Sequence, residues 1–169
     1  ALTGVPWQAI AAIWYRESFS VASPETPGGP FQFDPPLSTA RMRKLLTTYC
    51  PSLTQPEREL LIYQGLNKFA SAAVFAACWM REMSRYNLKD NHSDQAMLDA
   101  FYGYNGRAFG PNPYNSNYVV NELDLAHDDM LIRGSIPDKN DPTKRIWIKT
   151  TDLRPGAFTV YKQLVESGI

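Results

Sequence analysis

The stretch from about Asn67 to Tyr86 does most to limit what this chain can fold into. It carries Phe69, Ala73, Ala76, Ala77 and Met80, with small residues set between large ones. That texture predicts a central helix buried on most sides, because small side chains let neighbouring helices approach closely. The longest apolar run within it, Ala72 to Met80, is far too short to cross a bilayer. The expected class is therefore mainly α (α+β), a helical body with no membrane span.

The rest of the chain supplies helices to pack against that rod. Pro6 suits a first helical turn, and Ile10, Ile13 and Trp14 follow at helical spacing as a core-facing side. A loop through Pro24, Pro27, Gly28 and Gly29 ends in Asp34-Pro35-Pro36. Ser38 reads as the N-cap of a helix through Arg41, Leu45 and Leu46, stopped before Pro51. A helix from Glu57 to about Leu66 breaks near Gly65 and Asn67. Ser93 caps a short helix through Met97, Leu98 and Phe101, which ends in a glycine-rich turn, Tyr102 to Gly106. A further helix, about Ser116 to Leu125, presents Tyr118 and Val119. After His127 the texture changes: Met130 to Ile132 and Arg145 to Ile148 predict a small β-hairpin, with Gly134 to Thr143 as its polar loop. The last helix, about Gly156 to Glu166, sets Phe158, Tyr161 and Leu164 on one side. No linker interrupts the pattern, so residues 1–169 read as one domain.

Composition narrows the function. A hydrophobic fraction of 44% excludes a disordered chain. The net charge is zero, which leaves no electrostatic case for nucleic acid. Aromatic residues make up 12%, which agrees with a groove that stacks on sugar rings, although many must serve the core. Two cysteines, Cys50 and Cys78, permit one disulfide at most, and Cys78 reads as a buried thiol in an apolar helix. The chain starts at Ala1 with neither Met nor a charged, apolar leader, so it reads as a processed or excised domain.

Glu17 stands out chemically. It lies three and four residues beyond Trp14 and Ile13, on or beside the predicted core-facing side. A carboxyl desolvated there stays protonated, which is what a general acid needs. The plain alternative is an exposed last-turn residue, or a partner for Arg16.

Glu17-Ser18, a loop, and then Gly29-Pro30-Phe31-Gln32 form a pattern that resembles the catalytic domain of soluble lytic transglycosylases and goose-type lysozymes, in the lysozyme superfamily. That family sets a helix-terminal Glu-Ser before a loop and a Gly-Leu-Met-Gln segment. Here the loop is shorter, and Pro30 and Phe31 replace Leu and Met. Further on, Ala100 to Gly106 resembles the family's Ala-Tyr-Asn-Ala-Gly, with Tyr104-Asn105 matching its Tyr-Asn. Tyr118-Val119-Val120 resembles the Tyr-Val that closes the family's site. The likeness covers Val5 to about Val120, and Arg154 to Tyr161 adds a looser one to phage and bacterial muralytic domains.

The resemblance implies a lysozyme-like fold that cleaves the β-1,4 bond between N-acetylmuramic acid and N-acetylglucosamine. Glu17 would be acid and then base, without a cofactor. Gln32, Tyr104, Asn105 and Tyr118 would bind sugar and orient Glu17, and Phe31 would help wall the groove. The partner is the glycan strand of peptidoglycan, met in the periplasm, outside the cell or on a phage, by a monomer or one domain of a larger protein. Lytic transglycosylases need no second carboxylate, since the substrate's 6-hydroxyl closes a 1,6-anhydro ring. Inverting hydrolysis needs one that holds water, about 6.5–9.5 Å from the acid. Asp34 and Glu25 are candidates, each with a plain reading as a turn or loop residue.

Other constellations are weaker. Cys78 with His92 or His127 lacks a helix N-terminus to activate the thiol. His127-Asp128-Asp129, and His92 with Asp94, lack zinc spacing, and Asp138 to Pro142 lacks the glycine and glutamate of a calcium loop. Three rivals stay open: a hydrolytic lysozyme, a chitin- or chitosan-acting relative, and a non-catalytic wall-binding or phage tail module.

Overall fold

The structure, a computed structural model, describes residues 2–18, 29–33, 36–105, 119, 131–137, 145–151 and 155–168, the two strands by their backbone. Among these residues the protein is mainly helical. Six α-helices form: α1 (Trp7–Ser18), α2 (Thr39–Tyr49), α3 (Gln55–Gln64), α4 (Phe69–Met83), α5 (Asp94–Tyr104) and α6 (Ala157–Glu166). Two strands, β1 (Leu131–Pro137) and β2 (Arg145–Thr151), pair antiparallel with Gly134 opposite Ile148. Gly134 to Pro137 thus belong to a strand rather than to the loop expected there, because backbone pairing with β2 continues through them.

Helix α4 is the centre. α2, α3 and α5 pack on it, and α1 packs chiefly on α6. Ala72, Phe75, Ala76, Ala77, Cys78 and Met80 of α4 are all buried. The helix is shorter than the sequence suggests, since Lys68 and Ser84 take extended backbone at its two ends. Phe69 is half exposed in its first turn, not buried. No helix among the described residues is long and apolar enough to cross a membrane.

The helix starts follow sequence logic. Ser38 Oγ accepts from the Arg41 amide at the head of α2, and Ser93 Oγ accepts from Ala96 at the head of α5. At α3 the Glu57 carboxylate accepts from the Thr54 amide, 2.7 Å away.

The buried face of α1 keeps Ile13 but is otherwise not the expected one. It runs Val5, Ala9, Ala12, Ile13 and Arg16, at spacings of three and four. Trp14 is 42% exposed and meets Phe69 edge-on, ring centroids 5.5 Å apart. Ile10 is only partly buried. Small residues close to α6 take the place of bulky ones, and Arg16, 1% exposed, donates to the Pro155 carbonyl just ahead of α6.

Buried polar groups help tie the helices together. Asp99 of α5 is fully buried and accepts from the Arg85 amide and Arg85 Nε, each at 2.7 Å. The Cys50 and Cys78 thiols are buried and 3.4 Å apart, joining the end of α2 to α4. The hydrogen bond shared with Cys78, with Arg81 and Arg58 nearby, holds the Cys50 thiol below its usual range, whereas the same bond and burial push Cys78 up.

The segment ahead of Gln32 depends on one glycine. Gly29 has φ 68°, and a Cβ there would lie 2.1 Å from the Leu66 carbonyl oxygen. Only a residue without a side chain lets this turn lie against Leu66. Gly29→Ala is expected to cost about 3 kcal/mol or more, from the clash and the positive φ together. Chemical denaturation of the variant checks this, and a stability change under about 1 kcal/mol contradicts it.

Candidate functional site

The site is built around the end of α1. Glu17 is the penultimate residue of that helix and is half-buried. Its backbone carbonyl lies in the last turn, where no intrahelical donor remains. Gln32 supplies one: its Nε2 donates to the Glu17 carbonyl oxygen at 2.8 Å. The amide thus caps the helix that presents the carboxylate.

Gln32 is held in place by its neighbours. Gly29–Phe31 form a short 3-10 turn, closed by the Gln32 amide donating to the Gly29 carbonyl at 3.0 Å. Gln32 itself has φ 47°, a left-handed backbone that a non-glycine residue adopts at some cost. Tyr104 clamps the turn from the far side, its hydroxyl donating to the Phe31 carbonyl at 3.1 Å. Tyr104 lies in the last turn of α5, which runs through Gly103 without a break, and the amide of Asn105 caps that helix by donating to Phe101. The glycine-rich turn expected from Tyr102 is therefore helix up to Tyr104.

These groups open onto one cleft of about 750 Å³. Glu17, Gln32, Phe33, Tyr104 and Asn105 line it. Pro36, Leu37 and Ser38 just ahead of α2, Arg41 in its first turn, and Trp79 and Met83 of α4 complete it. Three aromatic rings follow one another along it: Phe33 meets Trp79 edge-on at 6.4 Å and Tyr104 at 6.1 Å. Glu17 and Arg41 are the charged side chains among the described residues that line it.

Of the residues expected in the site, Glu17, Gln32, Tyr104 and Asn105 come together. Phe31 does not wall the groove: it is fully buried and packs on Phe69. Within the 3-10 turn its ring points into the core, and Phe33 takes the place beside the cleft. Tyr118, Asp34 and Glu25 lie outside the described residues. So do His127 and Asp138 to Pro142. Cys78 has no part in a nucleophilic pair with His92: its thiol faces Cys50, and the His92 Nε2 lies 2.8 Å from the Gly4 and Leu88 carbonyls. No cluster of three metal-ligating side chains occurs among the described residues.

Phe33, Trp79 and Arg41 were not singled out from sequence. Phe33 had a signal, the apolar-amide-apolar run Phe31-Gln32-Phe33. Trp79 and Arg41 had none, since each reads as an ordinary helix residue. Neither a family model nor a curated protein nor a solved structure matches this chain.

Burial first, and then the negative charge of Glu17, push the Tyr104 phenol well above its usual range. It remains a hydrogen-bond donor at any physiological pH. A raised value in the fold favours the neutral phenol, so this stabilisation is complete below the unfolded value of about 10 and disappears as pH rises through the folded value. Tyr104→Phe should lose about 1 kcal/mol near neutral pH, through the unpaired Phe31 carbonyl. It should also make the alkaline loss of stability shallower than in wild type. Denaturation midpoints between pH 7 and 11 test both, and parallel curves above pH 10 contradict the assignment.

Proposed function

We propose that this protein is a glycosidase of the lytic transglycosylase type, cleaving the β-1,4 bond between N-acetylmuramic acid and N-acetylglucosamine in peptidoglycan. What supports this reading is a single observation. Glu17, Gln32 and the Tyr104-Asn105 pair, drawn from three stretches far apart in the chain, line one cleft beside aromatic rings. The resemblance in sequence concerns these same residues.

In the proposed reaction, the Glu17 carboxyl protonates the glycosidic oxygen as the bond to the muramic acid C1 breaks. The positive charge that develops on the sugar ring faces the resulting carboxylate. The sugar's 6-hydroxyl then bonds to C1 and returns its proton to Glu17, giving a 1,6-anhydro end with no water consumed. Gln32 and Tyr104 act as positioning residues, because they hold the backbone around Glu17 rather than the reacting atoms. Asn105 offers an amide to acetamido groups or hydroxyls. Trp79 and Phe33 offer ring faces and edges to the apolar sides of sugars.

Glu17→Gln should abolish clearing of a cell-wall suspension, lowering the rate at least about a hundredfold, while the helical circular dichroism signal is kept. Lysis at the wild-type rate would end the proposal. Mass spectrometry of the released fragments should show 1,6-anhydro ends. Reducing ends alone would select hydrolysis, and sugar release from chitin but not from peptidoglycan would select the chitin-acting relative. Retention on peptidoglycan without any release would select a binding module.

A further inference from the structure

The proposed chemistry leaves one feature of the cleft unused, the cation at its α2 edge. Arg41 lies on the lining, with its guanidinium carbon 5.2 Å from the centroid of the Trp79 ring. Its Nη2 is 2.7 Å from Glu82 Oε2, and Lys44 Nζ is 4.0 Å from the other oxygen of the same carboxylate. Two cations thus share one anion, so among the described residues this cluster carries one positive charge in excess. In the neighbouring pair, by contrast, Arg43 is the one cation on Glu59 among the described residues.

The guanidinium keeps donors in reserve. Nη2 serves Glu82, while Nε and Nη1 have no hydrogen-bond partner among the described residues. The Trp79 ring and the Glu82 carboxylate flank the group, which narrows the positions it can take and so the entropy lost on binding a ligand. The first turn of α2 adds to the field. Ser38, its N-cap, also lines the cleft, and a helix N-terminus carries partial positive charge. A strand of neutral sugars needs neither feature.

We infer that the Arg41–Trp79 edge is a recognition site for a carboxylate carried on the glycan strand. This rests on the glycan-cleft reading above and gives it a substrate preference: acid-bearing muramyl chains over neutral N-acetylglucosamine chains. The sugar ring packs on Trp79 and the carboxylate takes the open donors of Arg41. Two sources share that chemistry, the lactyl acid of a muramic acid without peptide, and the acid groups of a peptide stem. Arg41 is a specificity residue here, remote from proton transfer at Glu17.

The test is calorimetric titration of the non-cleaving Glu17→Gln protein with three tetrasaccharides. One is neutral tetra-N-acetylglucosamine, one is a peptide-free muramyl oligomer with free lactyl acid, and one is its peptide-bearing form. At low salt, at least one acid-bearing ligand should bind about tenfold tighter than the neutral one. Arg41→Gln in the same background should erase that preference and leave neutral binding within about twofold. Which acid-bearing ligand shows the effect identifies the source. Equal affinities for all three sugars, or a preference that survives Arg41→Gln, overturns the inference and leaves the cleft reading intact. If the folded Glu17→Gln protein binds none of them, the cleft reading fails and the inference falls with it.

Discussion

The hydrogen bond from the Gln32 side chain to the Glu17 carbonyl is the contact on which the site depends. A helix ends with carbonyls that have no donor, and a helix ending in a cleft must find one or leave them to water. Here the donor comes from a side chain fifteen residues further on. The bond therefore does two things at once. It completes the last turn of α1, and it fixes the distance between that turn and the 3-10 segment. A general acid must be held within a few tenths of an ångström to work, so this coupling of a cap to a carboxyl position bears directly on the proposed chemistry.

The capping geometry costs something, since Gln32 has to adopt a positive φ. Such a conformation survives only where its surroundings over-determine it. Two neighbours do so. Gly29 lets the turn lie directly on the Leu66 carbonyl, and Tyr104 holds the Phe31 carbonyl from α5. The second support must itself be rigid, and Asp99 supplies that rigidity. Its carboxylate, buried in α5, accepts from the Arg85 backbone and guanidinium at the exit of α4. A buried carboxylate is costly unless paired and hydrogen-bonded, and this one is both. The orientation of α5 on α4, and with it the position of Tyr104, follows from that contact.

Much of this was legible in the chain. Caps at Ser38 and Ser93, the break near Gly65 and the small-residue texture of α4 all carry local signals, and the helices form where those signals lie. The association of Glu17, Gln32, Tyr104 and Asn105 was legible through the order of motifs. What stayed hidden depends on contacts between distant segments. Periodicity placed Trp14 inside, but α1 buries alanines because α6 lies close, and Arg16 goes inside because the Pro155 carbonyl, 139 residues away, receives it. Phe31 seemed a wall of the groove and is core, since a 3-10 turn rotates successive side chains by more than an α-helix does. Trp79 and Arg41 reach the cleft only because α2 and α4 lie side by side.

The two edges of the cleft answer to different demands. In the proposed reaction the edge formed by α1, the 3-10 turn and α5 must be rigid, because proton transfer tolerates little misplacement. Its groups are locked by backbone caps and by the buried Asp99 carboxylate. In the same proposal the edge formed by α2 and α4 needs only to recognise, and its polar groups are partly exposed side chains. It is nonetheless anchored behind the surface. The Cys50 and Cys78 thiols meet one residue beneath Trp79, and Arg81 donates to the Tyr49 and Thr3 carbonyls, tying the end of α2 and the chain start to α4. A ligand seated across both edges therefore meets a fixed acid on one side and a fixed aromatic ring on the other. With the ordering already done in the fold, more of the contact energy remains for choosing among sugars.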